Sequence, residues 1–456
     1  MLCLEANSSF LWDTELRPGN AGVWEGSPDL LETSCRADGV AHGRRRAGEG
    51  SRPSVTSRSR NRTQARFESS PYSVADYNAI GEEYGSAADL RELVATAHKL
   101  GLKVMLDIVY YHAAPDNVLM NRPELFVRNA EGKVVRGFWP QPLPDFKNPE
   151  MRKYLIDSLV YWVREFDVDG YRCDVAAGVP IDFWEEARKE LDRVKPDVVL
   201  LSEADRPEDQ LAAFDINYNF HHHLTLRSVL RDGESAIRVR EHWERTNRTM
   251  PRGARVLHYS DNHDWRRAVV EFGERGAMAA TVLNFTLDGI PFVWAGQEIA
   301  DRRRTRFRDR APIRWENLTG SSADSKEQQA TLEKYKKLFR IRKEQAALHS
   351  GELIWINNTA PDSVLSFLRK RGADEILVII NLSNRKTFVT VDLPVMEYYS
   401  VENLLKEGKT WFQLYTGRVS ATLGAFEEIV GKKIPLEPLK DPGREQERKA
   451  TPQARP

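Results

Sequence analysis

The stretch "SAADLRELVATAHKLGLKVMLDIVYYH", residues 86–112, sets the architecture. Leu90, Leu93, Val94, Ala97 and Leu100 recur at helical spacing and define one apolar face. Ser86 is placed to cap this helix, with Asp89 three residues on as the weaker partner of a capping box. Gly101 suits the position just past its end. "LKVMLDIVY" then runs almost without a polar residue, the pattern of a parallel strand covered on both faces. Helix followed by buried strand is the unit of an alternating α/β chain.

The unit repeats outward from there. Helices are expected at "NPEMRKYLIDSLVYWVREF" (148–166, with Pro149 in the first turn), "PIDFWEEARKELDRV" (180–194), "ERGAMAATVLNFTLDG" (274–289) and "SKEQQATLEKYKKLFRIRKEQAAL" (325–348). Strands are expected at "VDGYRCDV" (168–175), "DVVLLSEA" (197–204), "RVLHYSDNHD" (255–264) and "IPFVWAGQE" (290–298). Such alternation means a parallel sheet, either doubly wound or closed as a (β/α)8 barrel. No glycine-rich phosphate loop follows a first strand, which argues against a nucleotide-binding doubly wound sheet. Polar residues instead gather at the C-terminal ends of separate strands, where barrel enzymes keep their chemistry. Beyond residue 350, "SVLSFLRK", "EILVIINLS" and "TFVTVDLP" read as short antiparallel strands of a small β-sandwich.

The 456 residues carry 67 basic and 67 acidic side chains, so net charge points to neither nucleic acid nor an acidic membrane surface. No apolar run reaches the ~18 residues of a membrane span. The start, "MLCLEANSSFLWDTEL", lacks the basic head and apolar core of a secretory leader, so a cytoplasmic location is expected. Cys3, Cys35 and Cys173 suit neither a disulfide framework nor a metal site. Residues 1–66 are rich in Arg, Ser and Gly and contain no lysine, the first being Lys99. Disorder is expected there, and likewise in the tail 441–456.

The chemistry is carried by "GYRCDVA", 170–176. Residues two apart on a strand share a face, so Arg172 and Asp174 sit side by side while Cys173 points away into packing. Taken alone, this is a strand-end ion pair. Asp174 is joined, however, by Glu203 and Asp264, each at the end of its own strand, and by His112 and His263. Three acids, an arginine and two histidines at corresponding strand ends argue for a site. The run "HHH" at 221–223 is read as a solvent-facing loop, not a metal site.

At this point the chain resembles the α-amylase family, glycoside hydrolase family 13. "DIVYYH" (107–112), "GYRCDVA", "LLSEA" (200–204) and "YSDNHD" (259–264) are similar to four family motifs in order, and "LPDFKNP" (143–149) to a fifth. "RCDVAAGVPIDFWEEARKEL" is most similar to the cyclomaltodextrinase and neopullulanase branch. The resemblance implies a retaining glycosidase acting on α-1,4 or α-1,6 bonds of maltooligosaccharides or related α-glucans. Asp174 would be the nucleophile, Glu203 the general acid and base, and Asp264 the acid that grips sugar hydroxyls. Arg172 would keep Asp174 charged and oriented. His112 and His263 would donate to hydroxyls, and Tyr72 in "SPYSVADY" would stack on the same sugar. Asp107 would support the site from behind.

The chain departs from the family in two ways. Tyr111 stands where members have an asparagine that often ligates calcium, and the inserted loop 113–148 is short, so no metal or cofactor is expected, with calcium as the alternative left open. Residues 1–66 contain no convincing version of the strand–helix–strand that should precede "SSPYSVADY", and their composition resembles a frame-shifted reading. The expected organisation is therefore a barrel over 67–348 that lacks its first strands and a β-sandwich over 349–440. The alternatives are an inactive fragment and a non-catalytic sugar-binding protein on the same fold.

Overall fold

Residues 2–4, 70–137, 140–304, 312–393, 399–406 and 417–435 are described by the structure, a computed structural model. Helix α1 (Ala87–Lys99) begins as its sequence dictates: Ser86 Oγ accepts from the Asp89 amide, and the Asp89 carboxylate accepts from the Ser86 amide. It delivers the chain into β2 (Val104–Val109), and α2 (Pro149–Phe166), capped by the Asn148 side chain, delivers it into β3 (Gly170–Asp174). Helix α3 (Ile181–Val194), β4 (Val199–Ser202), α4 (Asp209–Ala212) and β5 (Ile216–Asn217) follow. Next come α5 (Phe220–Leu230), α6 (Ile237–Thr249), β6 (Leu257–His258), α7 (Ala268–Glu271), α8 (Gly273–Thr286) and β7 (Ile290–Pro291).

The strands pair in parallel and in chain order, β2 to β3 to β4 to β5, then through an Asn217–Val256 bridge to β6 and β7. On the other edge of β2 lies β1 (Leu2–Leu4), with Leu2 opposite Val104. The sequence shows no convincing strand–helix–strand in residues 1–66, yet Leu2–Leu4 is a strand there, too short for any period to show. The disorder expected of the rest of that segment, and of 441–456, concerns residues outside those described. Seven parallel strands are thus present among the described residues, and none of the pairings there closes β7 onto β1.

Side-chain alternation divides the strand residues between two cores. Met105, Val199, Leu201, Ile216, Leu257 and Ile290 point inward and meet one another with Tyr218, Tyr259, Phe292 and Trp294. Val104, Ile108, Tyr171, Cys173 and Leu200 point outward against α1, α2 and α3. The curved sheet therefore wraps an interior filled by side chains.

Helices α9 (Ala323–Glu344) and α10 (Ala346–Ser350) lead to an antiparallel region. Strands β8 (Glu352–Trp355), β9 (Val364–Arg371), β10 (Asp374–Asn381), β12 (Tyr399–Asn403) and β14 (Glu428–Pro435) form one sheet in the order β12-β14-β10-β9-β8. Strands β11 (Thr387–Asp392) and β13 (Arg418–Leu423) form another. Along β10, Leu377 and Ile379 join Val389, Val391, Val419 and Leu423 in a core between the sheets. Ile376, Val378 and Ile380 face the opposite way and pack with α8 and α9. Two buried arginines fasten this junction. Arg342 on α9 donates to the carbonyls of Phe285 and Gly289, each at 2.7 Å, and Arg369 on β9 donates to Thr286 O at 2.7 Å. They satisfy carbonyls that the end of α8 leaves unbonded.

The "HHH" run is not a solvent-facing loop. It lies on α5, where His222 and His223 are buried and only His221 is exposed. The segment "FHHHLTLRSVL" offers little amphipathic signal, because two imidazoles share its buried face with Leu226, Val229 and Leu230. His222 Nε2 bonds Asn284 Oδ1 at 2.8 Å, and His242 Nε2 bonds Asn219 Oδ1 at 2.9 Å.

Candidate active site

Strand register brings the first charged groups together. Arg172 on β3 lies opposite Asp107 on β2, and Asp174 opposite Val109. Arg172 is fully buried, and its Nη1 contacts Asp107 Oδ1 at 2.8 Å, Asp107 Oδ2 at 3.0 Å and Asp174 Oδ1 at 2.7 Å. Its Nη2 faces Glu203 Oε1. One guanidinium fork therefore gathers three carboxylates from three neighbouring strands. Glu203 Oε2 also accepts from the Val175 amide at 2.8 Å.

Asp264 completes the group from the loop after β6. One ligand-type atom each of Glu203, His263 and Asp264 lies within 4.8 Å of the others, and Asp264 is the most exposed of the three. Its loop is shaped by Asn262, whose Oδ1 accepts from the amides of Asp264 and Trp265 at 3.0 and 3.1 Å. Tyr72 donates to Asp107 Oδ2 at 3.0 Å and stacks on His263 at 5.7 Å between ring centroids. The Arg172 guanidinium lies 5.7 Å from the Tyr72 ring centroid and 5.7 Å from that of Tyr218. His112 is buried near Asp174. All seven residues picked out from the sequence thus fall in one locality, at the C-terminal ends of the parallel strands.

Burial dominates the electrostatics. It pushes the Glu203 carboxyl well above the ordinary range; Arg172 opposes this, and the charge of Asp174 adds to it. Burial likewise raises Asp107, against the pull of Arg172, and raises Asp264. Burial opposes the Arg172 charge, but Asp107 and Glu203 outweigh it and hold the guanidinium protonated. His263 falls to about 3 through burial and then the nearby arginine, so it is a neutral hydrogen-bonding ring. His112 is also lowered by burial, with Asp174 opposing.

Sequence reasoning passed over Tyr218 and Val175. Tyr218 follows a two-residue strand too short to register as a period, and Val175 acts through a backbone amide that no side-chain motif announces.

A cluster of buried acids thus gathers around one arginine, at the C-terminal rim of a parallel α/β sheet that is followed by an antiparallel β-domain. The family model "Alpha amylase, catalytic domain" matches residues 61–123 and 137–351, and the chain belongs to the α-amylase family. It is similar to "Alpha-amylase MalA" of Haloarcula japonica, 27% identical over 338 residues, which cover 71% of this chain and 49% of that protein. It is 26% identical to a cyclomaltodextrinase of Geobacillus thermopakistaniensis over 74% of this chain and 60% of the relative. The chain therefore spans about half to three-fifths of the length of these relatives. Among solved structures, a noncanonic maltogenic α-amylase, AmyB, from Thermotoga neapolitana superposes with a TM-score of 0.73 and 30% identity, covering 80% of this chain and 86% of that one.

Proposed function

We propose that this chain is a retaining glycosidase that cleaves α-glucosidic bonds in maltooligosaccharides or related α-glucans. The observation that carries the reading is the single buried fork of Arg172, which holds Asp174 and Glu203 side by side. Retention requires two carboxyl groups close together, about 5–5.5 Å apart, one as nucleophile and one as acid and base.

Asp174 attacks the anomeric carbon. The glycosidic C–O bond breaks, and Glu203 gives its proton to the departing oxygen. Burial raises the affinity of Glu203 for its proton, which favours the neutral, protonated form that the first step needs. Water then gives a proton back to Glu203 and attacks the same carbon, releasing Asp174 from its ester. Asp264, at the open side, grips hydroxyls of the sugar, and His112, neutral His263 and Tyr72 line its other faces. No step draws on a metal ion or organic cofactor. The similarity to cyclomaltodextrinase and maltogenic amylase supports α-glucans as substrate, and similarity to a Bacillus subtilis relative named "Intracellular maltogenic amylase" supports a cytoplasmic location.

The test is a chromogenic maltooligosaccharide with the parent and E203Q. E203Q is expected to lose about 10²–10⁴-fold in turnover, and NMR of the parent's first product is expected to show the α anomer. A β anomer, or a parent that binds without turnover, overturns the reading; the latter outcome is that of a sugar-binding protein.

A further inference from the structure

Val175 is the β-branched member of the four non-glycine residues with positive φ among those described, at φ 43° and ψ 44°. The left-handed region is costly for a side chain branched at Cβ, and such outliers persist only where surrounding contacts impose them. Here the contacts can be named. The turn after Asp174 closes through Gly178 N to Val175 O at 2.8 Å. Trp184 Nε1 donates to Ala176 O at 3.3 Å. The Tyr111 ring lies against Gly178 so closely that a Cβ there would come within 2.3 Å of it. The strained conformation turns the Val175 amide toward Glu203 Oε2, 2.8 Å away.

We propose that Val175 is a positioning residue whose left-handed backbone aims its N–H at Glu203 and so fixes the acid beside Asp174, the residue immediately before it in the chain. The inference rests on the glycosidase reading and adds to it a backbone device in the turn after the nucleophile. Asp174 and Val175 share a peptide bond, so the nucleophile and the donor that holds the acid cannot drift independently. Tyr111, at the position of the family's asparagine, then has a use of its own: it holds the turn against Gly178. The charged and titratable groups facing Glu203 are Arg172, Asp174, His263 and Asp264, with Tyr259 nearby.

The test works through the clamp, because glycine and asparagine both enter the left-handed region and would keep the Val175 amide where it is. It compares Y111A and Y111F with the parent by kcat, KM, pH profile, melting and crystal structure. Y111A removes the ring that holds Gly178 and is expected to stay folded and lose about 10–100-fold in kcat with a smaller change in KM. The alkaline limb of its profile should move upward, since the lost N–H favoured the ionised acid. Y111F keeps the ring and should keep the parent's limb and most of its kcat. Should Y111A fail to fold, the limb of G178A decides: its Cβ presses on the same ring, so the limb must move upward. Parent-like kcat and limb in Y111A, or a folded Y111F as impaired as Y111A, would overturn the proposal. A crystal structure separates this from failure of the glycosidase reading: even in an inactive parent, Glu203 Oε2 must leave the Val175 amide in Y111A and keep it in Y111F.

Discussion

Arg172 decides the site at the scale of one residue. A buried guanidinium has five N–H groups to place and a large desolvation cost, and three carboxylates at 2.7–3.0 Å or closer offset it. Those acids are equally dependent on it. R172M leaves Asp107, Asp174 and Glu203 buried without their cation. Unfolding in urea is expected to show a loss of about 3–5 kcal/mol, and activity should vanish. Lysine cannot form the fork and should not restore activity. The pairing of Arg172 with Asp174 was legible from their two-residue spacing. The reach of the same fork to Asp107 and Glu203 was not, because it depends on how β2, β3 and β4 are registered.

Element pairing is where a small residue matters most. Gly170 opens β3 opposite Val199 at the start of β4, and a Cβ at position 170 would lie 2.4 Å from Val199 O. A backbone carbonyl in a ladder cannot step aside. G170A should therefore force β3 and β4 apart and lower stability by about 1–3 kcal/mol, read from the denaturation midpoint. It should also impair turnover, since Asp174 and Glu203 sit at the far ends of these strands. β2, β3 and β4, α1 and α2 were readable in sequence because each has several apolar residues at a clear period. β1, β5, α5 and α6 were not. The two strands are three and two residues long, and the buried faces of α5 and α6 include His222, His223 and His242 in place of aliphatic residues.

Those histidines set a property of the whole molecule. His222, His223, His242 and His258 join α5, α6 and the parallel sheet, and burial takes each of them down to about 3. The folded state thus refuses protons that the unfolded chain accepts below about 6.5. Their contribution is fully present above pH 6.5 and is lost as pH falls toward 3. Asp261, raised to about 6 by burial, works in the opposite sense and loses its contribution as pH rises through that value. Substitution isolates one group. H222Q keeps a donor for Asn284 but cannot titrate, so its stability should fall less steeply than the parent's between pH 6.5 and 3. The difference should be up to about 1.4 kcal/mol per pH unit, measured by urea unfolding at several pH values. A parallel pair of curves would show that His222 is already accessible to protons.

The sequence by itself determined the alternating α/β architecture, the antiparallel domain after it and the acids worth watching. Period and residue type along a segment reflect which face is buried, and that is a local matter. Only the tertiary structure decided that one guanidinium holds three carboxylates, that α5 buries its imidazoles, and that a valine amide reaches an acid 28 residues away. Each depends on strand register and helix docking, which arise from many weak contacts summed over the fold and leave no mark at any single position.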